Sequence, residues 1–373
     1  MHPRRLLALI LSLCLMSFWL TACYQGPDAG ERLNPSSGLE STEDGKPSQG
    51  VEPSQKGEEG LQRFSRQDFA GFDTLTQIVG YAPDQASFQE ATDWIVGQIR
   101  RYDALFSGFT ASAEEVNLQK LNELAGQGPV KVEPDLFNLI QLSLQIADQS
   151  DGAYNPAMDR VTTLWRQAME DSRKNPDQAH LPDPDALAEA GKHIDYSKVK
   201  LNSQDQTVEF LDPDLRLDLG GTAKGFALEL VMDQMADRGL DHYLISMGGN
   251  VKSLGSKPGG QDWTVGIRDP EDAAGVFDTL QVHDLSVVTS GIYERNFTVD
   301  GKLYHHLLDP KTLYPQERYV SLTILVEDSG IADGLSTALF NLDEAEGKKL
   351  ADQYGAGIIW IYPDGTSDRY GLK

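Results

Sequence analysis

The chain reads as a domain that mixes strands with helices and carries a ligand pocket on loops above a rigid sheet. Three observations predict this. Apolar residues recur with a period of two in some segments and near 3.6 in others. Glycine pairs and small polar residues stand where several predicted strands end, on the kind of loop that carries binding groups. A polar stretch over 24–60, rich in Gly, Pro, Ser, Glu, Asp and Gln, precedes residues 61–373, which are long and apolar enough for one large domain or two closely joined lobes.

The N-terminus supplies a different signal. Arg4 and Arg5 precede an apolar run from Leu6 to Leu20, which closes on Leu20-Thr21-Ala22-Cys23. This resembles the lipobox of bacterial lipoproteins, so residues 1–22 are expected to be a cleaved signal and Cys23 the lipidated first residue of a tether over 23–60. An uncleaved anchor is the competing reading, but the run is short for a spanning helix. Cys14 would leave with the signal, leaving no thiol for a disulfide or for catalysis. The formal charge of −25 falls to about −27 once the two arginines are removed. A surface of that sign repels phosphate, so nucleic acid is not expected as a partner, and a phosphorylated ligand would need a metal ion or local cations.

Within the domain, Phe69 to Tyr81 predicts an opening strand. Phe88, Ala91, Ile95, Ile99 and Tyr102 then mark one helix face, and Leu118, Leu121 and Leu124 a second. Leu136, Ile140, Leu144 and Ala147 mark a third helix, with Pro134 in its first turn. Asp151 to Pro156 breaks the pattern, and the stretch from about Asp171 to Pro184 reads as a surface excursion. Val208, Phe210, Leu215 and Leu217 read as strand leading into Asp218-Leu219-Gly220-Gly221-Thr222-Ala223-Lys224-Gly225. Ala223, Phe226, Ala227, Leu230 and Val231 continue as a helix that Gly239 should end. Tyr243 to Ser246 is a buried strand delivered into Met247-Gly248-Gly249-Asn250. Trp263 to Ile267 and Leu285 to Val288 supply two more strands, the latter running into Thr289-Ser290-Gly291.

Three clusters carry chemistry. The glycine pair at a helix entrance lets backbone approach a ligand, and the free N–H groups of a first helical turn attract phosphate or carboxylate oxygens. It is neither a dinucleotide fingerprint nor a Walker loop, and a plain tight turn would look the same. His305-His306 precedes Asp309 at a predicted strand end; a histidine can serve as a general base near neutral pH, although paired histidines are commonly packing features. Asp333 and Thr337 are four apart at the start of a helix, where oxygens on one face suit a hard cation such as Mg²⁺, unless Asp333 simply caps the helix.

Taken together the motifs resemble the FAD:protein FMN transferase family, the ApbE-like flavin transferases. The resemblance runs through Phe72-Asp73-Thr74, Leu105-Phe106-Ser107, Asp151 to Tyr154, Asp218 to Gly225 and Met247 to Asn250. It continues through Thr289 to Arg295, His306 to Pro310 and Ala332 to Thr337. It implies an α+β flavin-transferase fold, with FAD as substrate and Mg²⁺ at its pyrophosphate. The implied reaction transfers FMN to a threonine hydroxyl of an acceptor protein and releases AMP. By the family pattern Asp333, Thr337, the Gly221 carbonyl and Ser336 would hold metal. Phe109, Ala153, Tyr154, Asn155, Asp218, Lys224 and Leu307 fall where the family contacts FAD, and His306 is the candidate base. Lipoprotein export to the outer face of the bacterial cell membrane is usual in such proteins.

The chain departs from the pattern at Phe72, where methionine is common, at Asn155, where aspartate is, and at Leu313, where glycine usually follows Asp-Pro-x-Thr. Two other classes of function use many of the same residues. One is an FAD pyrophosphatase, with water in place of the acceptor hydroxyl. The other is a flavin-binding lipoprotein without catalysis, which leaves the metal pair and His306 unexplained.

Overall fold

The computed structural model describes residues 60–110, 115–272 and 274–372; the expected signal over 1–22, Cys23 and the tether up to residue 59 lie outside them. The chain opens with a hairpin of β1 (Gln62–Gly71) and β2 (Thr74–Ala82), not the single strand expected over Phe69 to Tyr81. Its two-residue turn, Phe72-Asp73, has positive φ at both positions, 54° and 52°. Phe-Asp lacks the Asn-Gly or Asp-Gly pair that marks such turns in sequence. Support comes from outside the hairpin, where Asp103 Oδ1 accepts from the Phe72 N–H at 2.8 Å.

Helix α1 (Gln85–Phe106) begins where Asp84 accepts from Ser87 N, and it buries Phe88, Ala91, Ile95, Ile99 and Tyr102 on the face their spacing predicts. Then come α2 (Leu118–Glu123), the short β3 (Val130–Lys131) and α3 (Pro134–Gln149), with Pro134 in its first turn and Leu136, Ile140 and Ala147 buried. Helix α4 (Asp159–Lys174) occupies residues for which the sequence suggested no helix, so the surface excursion starts at Asn175 and not at Asp171. Its polar composition hides the stripe of Val161, Trp165, Ala168 and Met169 that it buries. Helix α5 (Pro184–Ala190), β4 (Val199–Asn202) and β5 (Thr207–Phe210) follow, and β3, β5 and β4 form a small sheet in that order.

Leu215 and Leu217 are buried, but the strand expected there is absent. The Asn122 side chain donates to the Leu217 carbonyl at 2.9 Å and accepts from its N–H at 2.8 Å, so an amide side chain replaces a neighbouring strand. Helix α6 (Ala223–Asp237) starts directly after the glycine pair. It ends as expected: Gly239 has φ 67°, its N–H reaches Ala236 O at 2.9 Å, and Leu240 N reaches Met235 O at 3.0 Å.

The second half is largely strand. β6 (Tyr243–Met247) and β7 (Asn250–Leu254) turn tightly through Gly248-Gly249, and a Cβ at Gly248 would overlap the Thr74 hydroxyl. β8 (Trp263–Arg268) pairs with β9 (Val276–Val282), and β10 (Ser286–Gly291) precedes a hairpin of β11 (Asn296–Val299) and β12 (Lys302–His305). β13 (Ser321–Val326), α7 (Ser329–Asn341), α8 (Glu344–Tyr354), β14 (Gly357–Ile361) and β15 (Ser367–Tyr370) complete the chain.

An eight-stranded antiparallel sheet in the order β1-β2-β6-β7-β10-β13-β14-β15 organises the fold, which is α+β. Side chains alternate across it. Ile78 and Ile245 join the core with α1 and α6, while Val79, Leu244 and Val287 pack with Trp263 and Val265 of the β8–β9 hairpin. Helices α7 and α8 cover the β13–β14 end. Among the described residues no helix is long and apolar enough to cross a membrane.

Helices α6 and α7 meet at Gly225, where a Cβ would overlap the Ser329 carbonyl oxygen and come within 2.6 Å of Asp333 Cβ. Backbone cannot yield as a flexible side chain can. Gly225→Ala should therefore destabilise the domain by about 1–3 kcal/mol or more, read as a lower urea midpoint at unchanged slope. An unchanged midpoint would mean that the helix contact has slack.

Candidate functional site

The site grows from the first turn of α6. Its N-cap residue, Thr222, makes no capping bond with its side chain, and no acidic residue lies in the first turn. The Thr222 hydroxyl instead faces inward, 2.8 Å from Ser143 Oγ and 3.1 Å from the Tyr154 hydroxyl. A carboxylate from another helix fills the capping role. Asp333 lies on the second turn of α7, is 4% exposed, and accepts from the Gly225 N–H through Oδ2 at 2.9 Å. Its other oxygen is 3.5 Å from Lys224 Nζ, which also donates to Gly220 O at 3.1 Å. Asp333 therefore does not cap its own helix; Asp328 does, accepting from Ile331 N at 2.8 Å.

The i,i+4 spacing brings Thr337 to the same face of α7. A Cβ at Gly221 would lie 3.0 Å from Thr337 Oγ1 and 3.0 Å from Tyr154 Cε2, so the glycine backbone is wedged between the two. Gly221, Lys224, Asp333 and Thr337 are thus assembled from two helices and a turn. Ser336 is beside them, but its hydroxyl is engaged: it donates to Asp333 O at 2.8 Å and bonds Ser290 Oγ at 2.9 Å. Among the described residues none lies within hydrogen-bond geometry of Thr337 Oγ1. One loosely paired carboxylate oxygen, one hydroxyl and adjacent backbone form an all-oxygen donor set that fits a small hard cation.

Ala153, Tyr154 and Leu307 are buried in one apolar cluster with Leu335, Ala338 and Leu339 of α7. Burial, against hydrogen bonds from Ser143 and Thr222, raises the Tyr154 pKa far above its ordinary value, so its hydroxyl stays protonated. Asp218 accepts from Thr162 Oγ1 at 2.7 Å and from Gly220 N at 2.9 Å, which fixes the turn. A second carboxyl, Asp159, lies close by, and burial followed by the Asp218 charge pushes its pKa up to about 6. Asn155 donates to Ile194 O at 2.9 Å and accepts from Ala157 N at 2.8 Å, so its amide serves as a brace. Phe109 is 59% exposed, with the Arg166 guanidinium 3.9 Å above its ring.

The two histidines separate by side, as their adjacency on a strand end predicts. His305 is buried: Nε2 lies 2.7 Å from Gln316 O, and Nδ1 is 3.3 Å from the Leu307 N–H. A carbonyl can only accept, so Nε2 carries the proton and Nδ1 accepts. His306 has an exposed surface, and Nδ1 lies 3.2 Å from Arg295 O, whose carbonyl also takes the His306 backbone N–H at 3.1 Å. The same logic puts the His306 proton on Nδ1 and leaves the Nε2 lone pair available. The protein that walls the ring, followed by the Arg295 charge and with a smaller part from Lys224, lowers its pKa. The neutral ring is then the form at pH 7.

Thr222, Ser290 and Arg295 lie inside the motifs Asp218 to Gly225 and Thr289 to Arg295, but spacing assigns them no role, and Arg166 lies in none of the motifs. Arg295 acts on His306 through its carbonyl and its charge. Two other features stand apart. His193, Asp212 and Asp214 bring ligand atoms within 4.8 Å of one another, but His193 and Lys198 pair with Asp212 at 3.0 and 3.3 Å, and Arg160 with Asp214 at 3.0 Å. A cleft of about 430 Å³ includes His242 and His283 in its lining and shares no residue with the groups above.

Comparison with known proteins fits this geometry. Residues 72–360 match the model of the ApbE family. The chain belongs to the ApbE family. It is 37% identical to the FAD:protein FMN transferase of Treponema pallidum over 68% of this chain and 73% of that protein. It is 34% identical to an FAD:protein FMN transferase of Klebsiella pneumoniae over 67% of this chain and 74% of that one. The crystal structure of the ApbE protein of Thermotoga maritima superposes with a TM-score of 0.73 at 30% identity, covering 83% of this chain and 97% of that one. The α+β fold described above is thus the ApbE fold.

His305 and His306 should differ in what they support. His305→Ala removes a buried ring with two hydrogen bonds and should cost about 1–3 kcal/mol of stability. His306→Ala, at a position open to solvent on one side and with one ring hydrogen bond, should cost less, about 0.5–1.5 kcal/mol. Urea denaturation of the two variants in parallel checks this; equal losses would contradict the division of labour.

Proposed function

We propose that this chain is a Mg²⁺-dependent FAD:protein FMN transferase that moves FMN from FAD to a threonine hydroxyl of an acceptor protein and releases AMP. The observation that carries the reading is the meeting of Gly221, Lys224, Asp333 and Thr337 at the α6 N-terminus in a chain of this family. The helix terminus and Lys224 would attract the FAD pyrophosphate. Asp333, Thr337 and the Gly221 carbonyl would hold the metal, with Ser336 behind them. Mg²⁺, when bound, supplies charge neutralisation at the pyrophosphate and the departing AMP.

His306 would take the acceptor's proton on Nε2 while its Nδ1–H stays on the Arg295 carbonyl. The threonine oxygen forms a bond to the FMN-side phosphorus, the bond from that phosphorus to the bridging oxygen breaks, and AMP leaves with the electron pair. Tyr154, Ala153 and Leu307 give the flavin nucleotide an apolar wall; Asp218, Asn155 and Phe109 complete the proposed FAD contacts.

Incubating the protein with FAD, Mg²⁺ and candidate acceptors tests the reading. Flavin fluorescence on an acceptor band is the expected result. Free FMN with AMP would mark a pyrophosphatase, and unchanged FAD a binding protein. His306→Ala should slow transfer by about 10² to 10⁴ with little change in FAD affinity. Because the His306 pKa is lowered, transfer should hold as pH falls to 6.5 and be lost only below it. Asp333→Asn, which retains an oxygen for the Gly225 N–H, should abolish Mg²⁺-dependent transfer in a folded protein; a fully active variant would sink the metal assignment.

We also propose that residues 1–22 are a lipoprotein signal and that lipid on Cys23 anchors the catalytic domain, 61–373, to the extracytoplasmic face of the cell membrane through the tether 23–60. Cys23→Ala should release the protein from the membrane fraction and abolish its labelling by a fatty-acid analogue. Unchanged labelling would refute the anchor.

A further inference from the structure

Buried Lys252 and half-buried Glu229 form an ion pair that the reaction does not use. Lys252, on β7, donates to both Glu229 carboxylate oxygens at 2.8 Å and to Glu327 O at 2.8 Å. Glu229 Oε2 also accepts from the Ser329 N–H at 2.7 Å, and Ser329 is the first residue of α7. Asp333 is four residues further along α7, and Gly225 four residues back from Glu229 along α6. A spacing of four keeps each pair on one face of its helix.

The consequence is a reciprocal clamp. Helix α7 offers Asp333 to the Gly225 N–H in the first turn of α6, at 2.9 Å, and α6 offers Glu229 to the first N–H of α7. Each carboxylate faces the positive end of the other helix. Burial raises the Glu229 pKa and Lys252 opposes the rise, so the lysine helps to keep the acceptor ionised. Without the Glu229 link the first turn of α7, one helical turn before Asp333, keeps only its own cap Asp328 as a side-chain hydrogen bond among the described residues.

We propose that Glu229, held by Lys252, is a positioning residue for Asp333: it fixes the start of α7 on α6 so that Asp333 presents its second oxygen to the metal. This rests on the reading of Asp333 as a metal-binding group. Groups that orient a ligand from behind typically change metal affinity about 10- to 100-fold when removed.

The test titrates the full chain, saturated with FAD, with Mn²⁺, following free Mn²⁺ by its paramagnetic signal, and in parallel measures transfer against Mg²⁺ concentration. Glu229→Ala should raise the half-saturating metal concentration by about ten-fold or more, with a smaller change in the rate at saturating metal. Ser329→Pro is the second variant. Proline suits the first position of a helix; it removes the N–H that Glu229 holds together with a buried Ser329 hydroxyl that has no hydrogen-bond partner, and keeps both residues of the Lys252 pair. It should give the same shift. Glu229→Gln combined with Lys252→Met keeps an oxygen for that N–H without a buried charge, and should restore affinity to within about three-fold of native, a residue smaller than the outer-shell effect. A lowered melting temperature with unchanged half-saturation in Glu229→Ala and Ser329→Pro would overturn the proposal. Asp333→Asn separates the two failures: if it too leaves metal binding unchanged, the metal reading has failed, whereas a shift there alone refutes only the positioning role.

Discussion

The contact on which the site depends is a buried carboxylate laid on the first turn of a neighbouring helix. Taking an ionised carboxylate out of water costs several kcal/mol unless donors and opposite charge replace the water. Asp333 finds both at the start of α6: the Gly225 N–H, the Lys224 ammonium at 3.5 Å and the positive end of the helix. Geometry follows from that requirement. The helices must come close enough for backbone to reach the carboxylate, which only a glycine at 225 permits, and the same approach sets Gly221 against Thr337 and Tyr154. A turn, two helices and a tyrosine thus share one local solution, and the apolar faces of α6 and α7 bury themselves around it.

How much of this was legible in the sequence depended on whether the cause was local. Helices α1, α3 and α6 announce themselves because their apolar spacing faces a continuous core, and Gly239 ends α6 through its own φ. The β1–β2 turn does not, because Phe72-Asp73 is held by Asp103 from thirty residues away in the chain. Leu215 and Leu217 alternate and are buried, as strand residues are, but their backbone partner is the side chain of Asn122. Within the site, the i,i+4 relation of Asp333 to Thr337 could be read directly. That Asp333 is buried and caps another helix could not, since it follows from how α6 and α7 cross. Arg295 falls inside a motif of the family, but its role could not be read there: its carbonyl sets the His306 tautomer, and every residue has a carbonyl.

The three departures from the family pattern have physical readings. Asn155 uses its amide N–H to hold Ile194 O, which an aspartate in its ionised form could not do, so the exchange adds a brace between the loop after α3 and the segment after α5. Leu313 has φ 64°, a conformation that glycine adopts freely and that costs a leucine on the order of 1 kcal/mol or more. Its side chain packs against Gly191 and its carbonyl accepts from Trp165 Nε1 at 2.8 Å, so apolar contact in the α4 cluster offsets local strain. Phe72 also carries positive φ, at the turn whose other residue, Asp73, meets Arg295 at 3.4 Å. The turn is thereby tied to the residue that orients His306.

A chain with a formal charge of −25 is a poor long-range attractor for a pyrophosphate. Yet repulsion from distant carboxylates is screened over about 8 Å at physiological ionic strength, whereas partly buried groups at short range are screened much less. What a phosphate would meet there is Lys224, Arg295 near His306, and the N–H groups of a helix that has no acidic residue of its own in its first turn. Asp333 is the exception, and it turns the electrostatic argument around. Its charge is already shared between Gly225 and Lys224, so on the proposed reading a divalent cation at the oxygen that Lys224 approaches would take the place of that 3.5 Å contact without leaving the carboxylate unpaired. The freed ammonium, on the first turn of α6, could then turn to the phosphate that accompanies the metal. On the proposed reading, metal and dinucleotide would favour each other's binding, each offsetting the charge that opposes the other in a strongly acidic protein.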